Sequence, residues 1–394
     1  ALTRSGFIFE YDREGTLLFV FAGSAEGMSR PGLFKNASAI ARRSNDELLV
    51  LDQANNTIHV LVPTHFGDVV HEALGLYNQG KYIESQALWE EVMRYNALFD
   101  LAHEGVGLSY FMQGDYDAAM EKFTISESKT EYSNAFWEVR NIFLLSHAGM
   151  IMILGLSCVA VFFLAKGIDR RTAFLKPLES RLATVSQRPV VREIANFFYF
   201  IKNPADACYE VKVRNAIRIR TALLYIVLLV MIYTVHLLYT GMLFTDRVLE
   251  RTVYVEELMK VFIPFVSFVL GNYLVSSLMD GEGTLKAVLI NTLGALIPVV
   301  VILPVMTLLS NVLTYNEAFL YQLLFVAMVT WTSVLVFFSI KETHHYTVRE
   351  TIYNLLLTAL MMVIMILASI MVVLMIRQVI DFIGDIIKEV AIRG

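Results

Sequence analysis

The stretch AVLINTLGALIPVVVILPVMTLLSNVL, residues 287–313, contains no Asp, Glu, Lys or Arg. A helix of about 20 residues, rising ~1.5 Å per residue, crosses a hydrocarbon layer ~30 Å thick, and this stretch is longer than that. Four further runs share its character: Ala222 to Phe244, Val261 to Met279, Phe319 to Ile340 and Tyr353 to Ile376. In lipid only the backbone can satisfy its own N–H and C=O groups, so each run must be helical. A sixth run, Ile142 to Leu164, follows Tyr132, Phe136 and Trp137 and precedes Lys166, Arg170 and Arg171. Interfacial aromatics on one side and a cationic stop on the other suit a span. The expected fold class is therefore mainly α: a six-helix transmembrane protein made of one span (142–164) and a five-helix membrane domain (222–394).

Composition agrees with a membrane protein and divides the rest of the chain. The 394 residues are 56% hydrophobic with a mean hydropathy of +0.56, and only 18% are charged, against about a quarter in soluble domains. Residues 1–146 carry 11 Lys/Arg against 20 Asp/Glu, whereas residues 165–221 carry 12 against 5. Positive residues stay in the cytoplasm, so 165–221 is a cytoplasmic collar, the acidic head is extracytoplasmic, and the even span count puts the C-terminus outside. Alternation places the loops at 280–286 and 341–352 inside. The two cysteines, Cys158 and Cys208, define no disulfide framework.

The head opens with strand-like runs. Phe7 to Tyr11 turns through Asp12-Arg13-Glu14-Gly15 into Leu17 to Phe21, a Gly/Pro-rich loop follows, and Leu48 to Asp52 turns through Asn55-Asn56 into Thr57 to Val62. This succession, with Val50-Leu51-Asp52-x-x-Asn55-Asn56-x-Ile58-x-Val60, resembles an NHL repeat, the unit of one β-propeller blade. Closure of a propeller takes about 4 to 8 blades. Residues 1–62 are thus expected to be a propeller's C-terminal part, with earlier blades upstream of Ala1. From Gly67 to Ser128 the period is helical. Gly80-Lys81-Tyr82 recurs as Gly114-Asp115-Tyr116, an offset that marks a helical repeat array. Residues 67–128 resemble two tetratricopeptide repeats, with Gly107, Tyr110, Gly114, Tyr116, Ala119 and Phe123 in the second, and Ala73, Leu76, Gly80, Tyr82, Ser85 and Trp89 in the first.

Within the collar, Ile194 to Pro204 is an aromatic run too short to span. Phe197, Phe198, Tyr199, Phe200 and Lys202 are its candidate membrane-interface residues, read as a helix lying at the anionic inner leaflet, or alternatively as one packing under the bundle. Lys202-Asn203-Pro204 ahead of five spans, Asp280-Gly281-Glu282-Gly283-Thr284, Pro298 and His345-Tyr346-Thr347 together resemble the Yip family of five-span membrane proteins over residues 195–390. That resemblance implies a membrane-organising or partner-binding role. The head joined to such a domain looks bacterial and is similar to proteins that accompany sugar-importing ABC transporters, whose permease and extracytoplasmic binding component are the implied partners beside the lipid bilayer.

Chemistry is sparse. The six span cores hold no Asp, Glu, Lys or Arg of the kind carriers bury, and no P-loop, HExxH, GxSxG or dinucleotide fingerprint is present. No catalytic residue, cofactor, metal site or nucleic-acid partner is expected. His344 and His345 are adjacent without a third ligand and read as an interfacial pair. Pro264, Pro298 and Pro304 are expected to kink their helices. Gly271, Gly294 and Ala295 are candidate helix–helix contacts on a lipid-facing wall that a partner's helix could approach, with packing within the bundle an equal alternative for the two glycines. The expected function is a non-catalytic scaffold or accessory subunit. The alternative is a solute or ion carrier formed by the five-span bundle.

Overall fold

A computed structural model describes residues 1–13, 15–24, 30, 32–43, 47–172, 189–245 and 253–393, with backbone only at 167–172 and 385–393. The chain divides into two compact units, Ala1–Arg140 and Asn141–Gly394. The collar residues Lys176, Arg181 and Arg188 and the breakers Gly27 and Pro31 lie outside the described residues.

In the first unit, β1 (Phe7–Tyr11), β2 (Leu17–Ser24) and β3 (Leu33–Phe34) form one sheet, and β4 (Ala37–Arg42), β5 (Leu48–Asp52) and β6 (Thr57–Leu61) form another. The β1–β2 turn is built as the sequence suggests. Asp12 Oδ1 accepts from Thr16 N–H at 2.8 Å, and Gly15 supplies the left-handed φ of +93°. The sheets meet through Ile8, Phe34, Ala37 and Val50. At the end of β5 the buried Asp52 carboxylate accepts from the N–H groups of Lys35 at 2.8 Å and Asn36 at 3.1 Å, and from Asn55 Nδ2 at 2.9 Å. Those donors, the Lys35 N–H foremost, hold its pKa below the usual aspartate value against the opposing effect of burial.

Four helices follow: α1 (His65–Asn78), α2 (Tyr82–Tyr95), α3 (Asp100–Gln113) and α4 (Tyr116–Ile125). The 34-residue offset is visible bond for bond. Lys81 N–H reaches Leu76 O and Asp115 N–H reaches Tyr110 O, both at 3.0 Å, over Gly80 and Gly114 at φ +76° and +79°. These are helix C-terminal turns of the Schellman kind, where a left-handed glycine costs least. Trp89 and Phe123, also 34 apart, are each fully buried at the core of their helix pair.

The second unit holds α6 (Pro189–Lys202), α7 (Pro204–Arg214), α8 (Ile219–Tyr239), α9 (Tyr254–Leu278), α10 (Leu285–Ala295), α11 (Ile297–Ser310), α12 (Ala318–His344) and α13 (Val348–Arg393), besides most of α5 (Lys129–Thr172). Among the described residues, six helical segments are long and apolar enough to cross a membrane: Lys129–Lys166, Ile219–Tyr239, Tyr254–Leu278, Leu285–Ser310, Tyr315–His344 and Val348–Gly384. The protein is thus mainly helical and a membrane protein. The span Leu285–Ser310 is interrupted at Leu296, with Pro298 at the start of α11, where a missing N–H costs nothing. Pro264 and Pro304 sit inside α9 and α11 without ending them.

Candidate functional site

The most elaborate chemistry in the second unit is a polar clasp at one end of the bundle. It joins three places far apart in sequence: the C-terminal part of α9, the turn 280–284, and the junction of α12 with α13. His344 accepts from Gly283 N–H through Nδ1 at 3.3 Å, so Nε2 carries the ring proton and donates to Asn272 Oδ1 at 3.3 Å. Asn272 Nδ2 donates to Asn354 Oδ1 at 2.7 Å and to Thr358 Oγ1 at 3.3 Å, and Asn354 Nδ2 donates to Ser276 Oγ at 2.9 Å. Each of these five side chains is buried. Tyr346 stacks on His344, ring centroids 5.3 Å apart, and its hydroxyl donates to Ser276 O at 3.3 Å. Burial pushes the Tyr346 phenol above its ordinary pKa.

Glycines allow the turn to lie on these rings. A Cβ at Gly281 would fall 2.5 Å from Tyr346 Oη, and one at Gly283 would fall 2.6 Å from His344 Cε1. At the rim, Lys212 of α7 donates to Glu282 at 3.0 Å, and His345 Nε2 stands 3.6 Å from the same carboxylate. The Lys212 hydrogen bond, then its charge and that of His345, lower the Glu282 pKa. Lys286 reaches Asn215 Oδ1 at 2.9 Å. Collar helices and the loops at 280–286 and 341–347 therefore share one end of the bundle. Beside the clasp, Asn291 Nδ2 donates to Thr343 Oγ1 at 2.7 Å, while Asn291 Oδ1 has no hydrogen-bond partner among the described residues.

The collar adds a second buried polar contact. Glu193 of α6 accepts from Arg218 N–H at 2.9 Å and from Thr221 Oγ1, and its other oxygen pairs with Arg218 Nε at 3.3 Å. An acidic side chain on the first turn of α8 satisfies donors that a helix start leaves open and meets the positive end of the helix dipole.

The residues singled out from sequence separate into different roles. Phe197 and Phe200 are buried, Phe197 stacking on Tyr225 at 4.1 Å between centroids. Phe198 and Tyr199 are exposed at 46% and 41%, and Lys202 is exposed. The four aromatics are thus divided between an inner and an outer face of α6. Gly294 and Ala295 do not form a free lipid-facing wall, because both are buried and a Cβ on Gly294 would fall 2.5 Å from Phe200 Cε1 and Cζ. Gly271 is also buried, facing Met361 and Thr358 of α13. All three make helix contacts inside this chain. His344 is a buried member of the clasp, while the His345 side chain is half exposed. Among the described residues no group of three or more His, Cys, Asp or Glu could hold a metal.

Sequence reasoning passed over Glu193, Asn354 and Thr358. A signal for the last two was present: Thr351, Asn354 and Thr358 fall at i, i+3 and i+7 in an otherwise apolar helix, which places them on one stripe. The clasp spends its donors and acceptors on its own members, which is the chemistry of a fastening. Compared with protein families, with curated proteins and with solved structures, the chain matches none.

Proposed function

We propose that this chain is a non-catalytic scaffold, an accessory subunit of a bacterial membrane complex that moves solutes. In this reading the head is extracytoplasmic, and the collar with the clasp faces the cytoplasm. The observation that carries it is the self-satisfied clasp. The buried polar side chains of the clasp are bonded to one another rather than turned toward a substrate, while the spans Ile142–Leu164 and Tyr353–Ile376 present apolar side chains outward along most of their length. Those faces suit lipid and a partner's helices.

The finer modules belong to the same proposal. Residues 1–62 are read as the closing part of an NHL-type propeller, because the two sheets stack on one face each and leave Phe7, Tyr11 and Val20 on one outer side and Leu51, Ile58 and Val60 on the other. Apolar outer faces of that kind are what neighbouring blades would cover. Residues 67–128 are read as tetratricopeptide-like, and 222–394 as a Yip-like domain, whose two loop motifs are the halves of the clasp. The partners would be an ABC transporter permease and its extracytoplasmic binding component.

Purification of the whole protein in mild detergent tests the scaffold reading: it is expected to bring other membrane proteins with it. Recovery alone, as a monomer at every concentration, sinks it. A carrier is the second reading, favoured by the break at Leu296 in the middle of a span, since interrupted helices can form binding sites at membrane depth. Solute flux into liposomes holding the purified protein alone would promote it.

A further inference from the structure

Helix α6 has two apolar faces. The inner one packs Phe197 on Tyr225 and Phe200 against Gly294, whereas the outer one carries Val191, Ala195, Phe198 and Tyr199, all exposed, rimmed by Arg192 and Lys202. An exposed apolar helix face with cationic edges fits a membrane interface if the helix lies at the right height. Its height follows from two independent contacts.

Tyr225 lies six residues beyond Ile219, where its span begins, which is about 9 Å along the axis at ~1.5 Å per residue. That span of 21 residues is about 31 Å long and matches the ~30 Å hydrocarbon layer, so Tyr225 is about 9 Å inside its boundary. Gly294 lies nine residues beyond Leu285 in a span of 26 residues. That span is about 39 Å long and overhangs the layer by 4–5 Å at each end, which puts Gly294 about 9 Å inside as well. Both contacts set the aromatic stretch of α6 at the depth of about 5–10 Å to which in-plane amphipathic helices sink, while Glu193 on Arg218 and Asn196 on Ala216 O hold its first turns at the boundary.

Charge selects the leaflet chemistry. The three collar acids whose side chains are described are engaged: Glu193 with Arg218, Glu210 with Arg214, and Asp206 as acceptor for the Tyr199 hydroxyl at 3.5 Å. Lys212 is held by Glu282. Arg192, Lys202 and Arg220 are exposed and have no ion-pair partner among the described residues. Arginine and lysine stems can lie along acyl chains while their heads reach the phosphates.

We propose that α6 is an in-plane helix sunk into one leaflet, its outer face clad by acyl chains, with Arg192, Lys202 and Arg220 binding anionic phospholipid headgroups. This rests on the membrane assignment alone and does not require the scaffold reading. The test uses the whole protein with Cys158→Ser, a nitroxide at Phe198→Cys, and nanodiscs of phosphatidylcholine with or without phosphatidylglycerol. Cys208 stays unlabelled because it is buried and burial pushes its thiol pKa up. The label at 198 should collide with oxygen and be shielded from a water-soluble nickel complex, as at Leu156→Cys in the first span and unlike Leu98→Cys in the head. Nickel access equal to the head reference overturns the proposal; so does shielding from both reagents, which would mean that protein covers the face. In mixed nanodiscs, phosphatidylglycerol retained after detergent extraction should be enriched several-fold over bulk, and R192Q/K202Q/R220Q should return it to the bulk ratio. Enrichment unchanged by the triple substitution overturns the headgroup assignment.

Discussion

Replacing Gly294 by alanine should destabilise the bundle, whereas replacing Gly271 by alanine should not. At Gly294 the new methyl carbon would stand 2.5 Å from two ring carbons of Phe200, so the ring must retreat by roughly 1 Å to reach ordinary contact. Phe200 is 1% exposed and belongs to the bundle's main core with Phe197, Tyr225 and Leu293, which leaves it nowhere to swing. Overpacking of this kind costs about 1–3 kcal/mol. Because Gly294 is the penultimate residue of α10, the gain in helix propensity is smaller than in a helix interior. Gly271 lies within α9, and the nearest atoms to its added carbon are at 3.7 Å, an ordinary contact. There alanine recovers up to ~1 kcal/mol of propensity at no steric cost. For a unit of this size, 1 kcal/mol corresponds to about 2–4 °C in Tm, so G294A should lower Tm by about 2–12 °C and G271A should leave it unchanged or raise it by a few degrees. Buried Cys208, in the same core as Phe200, supplies the assay: in a Cys158→Ser background, a thiol-reactive dye becomes fluorescent as the bundle opens. The double variant G294A/F200L should regain at least about 1 kcal/mol over the sum of its parts, as coupled neighbours do. Equal shifts for the two glycines, or strict additivity with F200L, would refute the packing argument.

Three other outcomes are expected. Asn354→Leu removes the acceptor for Asn272 and the donor for Ser276, and should cost about 1–2 kcal/mol in the same dye assay, within the range measured for polar contacts between membrane helices; no change would show the clasp to be idle. Asp52 has a folded-state pKa below its unfolded value, so it stabilises the head above the unfolded pKa of ~3.9 and the contribution disappears as pH falls through the lower folded value. Acid unfolding followed by the fluorescence of Trp89 should lose that component in Asp52→Asn, and superimposable acid profiles for the two proteins would contradict the assignment. Cysteine at Glu131 should react with an impermeant thiol reagent in intact cells while cysteine at Arg192 should not, and the reverse pattern would invert the proposed orientation.

How much was legible depended on the kind of signal. The spans could be read because a charge-free run of about 20 residues has few other fates. The strands Phe7–Tyr11 and Leu48–Asp52 were marked by alternation and by Asp/Gly or Asn-Asn turns, whereas β4, Ala-Ser-Ala-Ile-Ala-Arg, was missed because alanine is a poor strand former. The helical repeat was readable because its signal is positional: glycine at 80 and 114 is needed for the same left-handed turn.

The facing of side chains inside the bundle was the part that sequence could not give, and the reason is physical. In a soluble helix, apolar and polar faces differ, so period alone says which side is buried. A membrane helix is apolar toward lipid and toward its neighbours alike, and the composition of α12 and α13 is nearly uniform around the axis. Gly294 therefore read equally as a notch for a partner and as a packing site within the bundle, where it is the seat of Phe200, and Phe197 and Phe200 looked like the same kind of residue as Phe198 and Tyr199. The exceptions are polar residues, which in lipid must find partners, so their positions reveal the inward side. Asn272 and Ser276 on α9 and Asn354 and Thr358 on α13 are each four apart, and each pair marks the line along which its helix meets the other. Sparse polar residues at helical spacing thus carry the facing information that hydrophobicity carries elsewhere. The same logic explains why the turn at 280–284 and the segment 344–346 needed unusual residues: two glycines, a histidine with both ring nitrogens engaged, and a tyrosine whose hydroxyl reaches back to α9 are what it takes to close a polar seam at the end of two otherwise featureless helices.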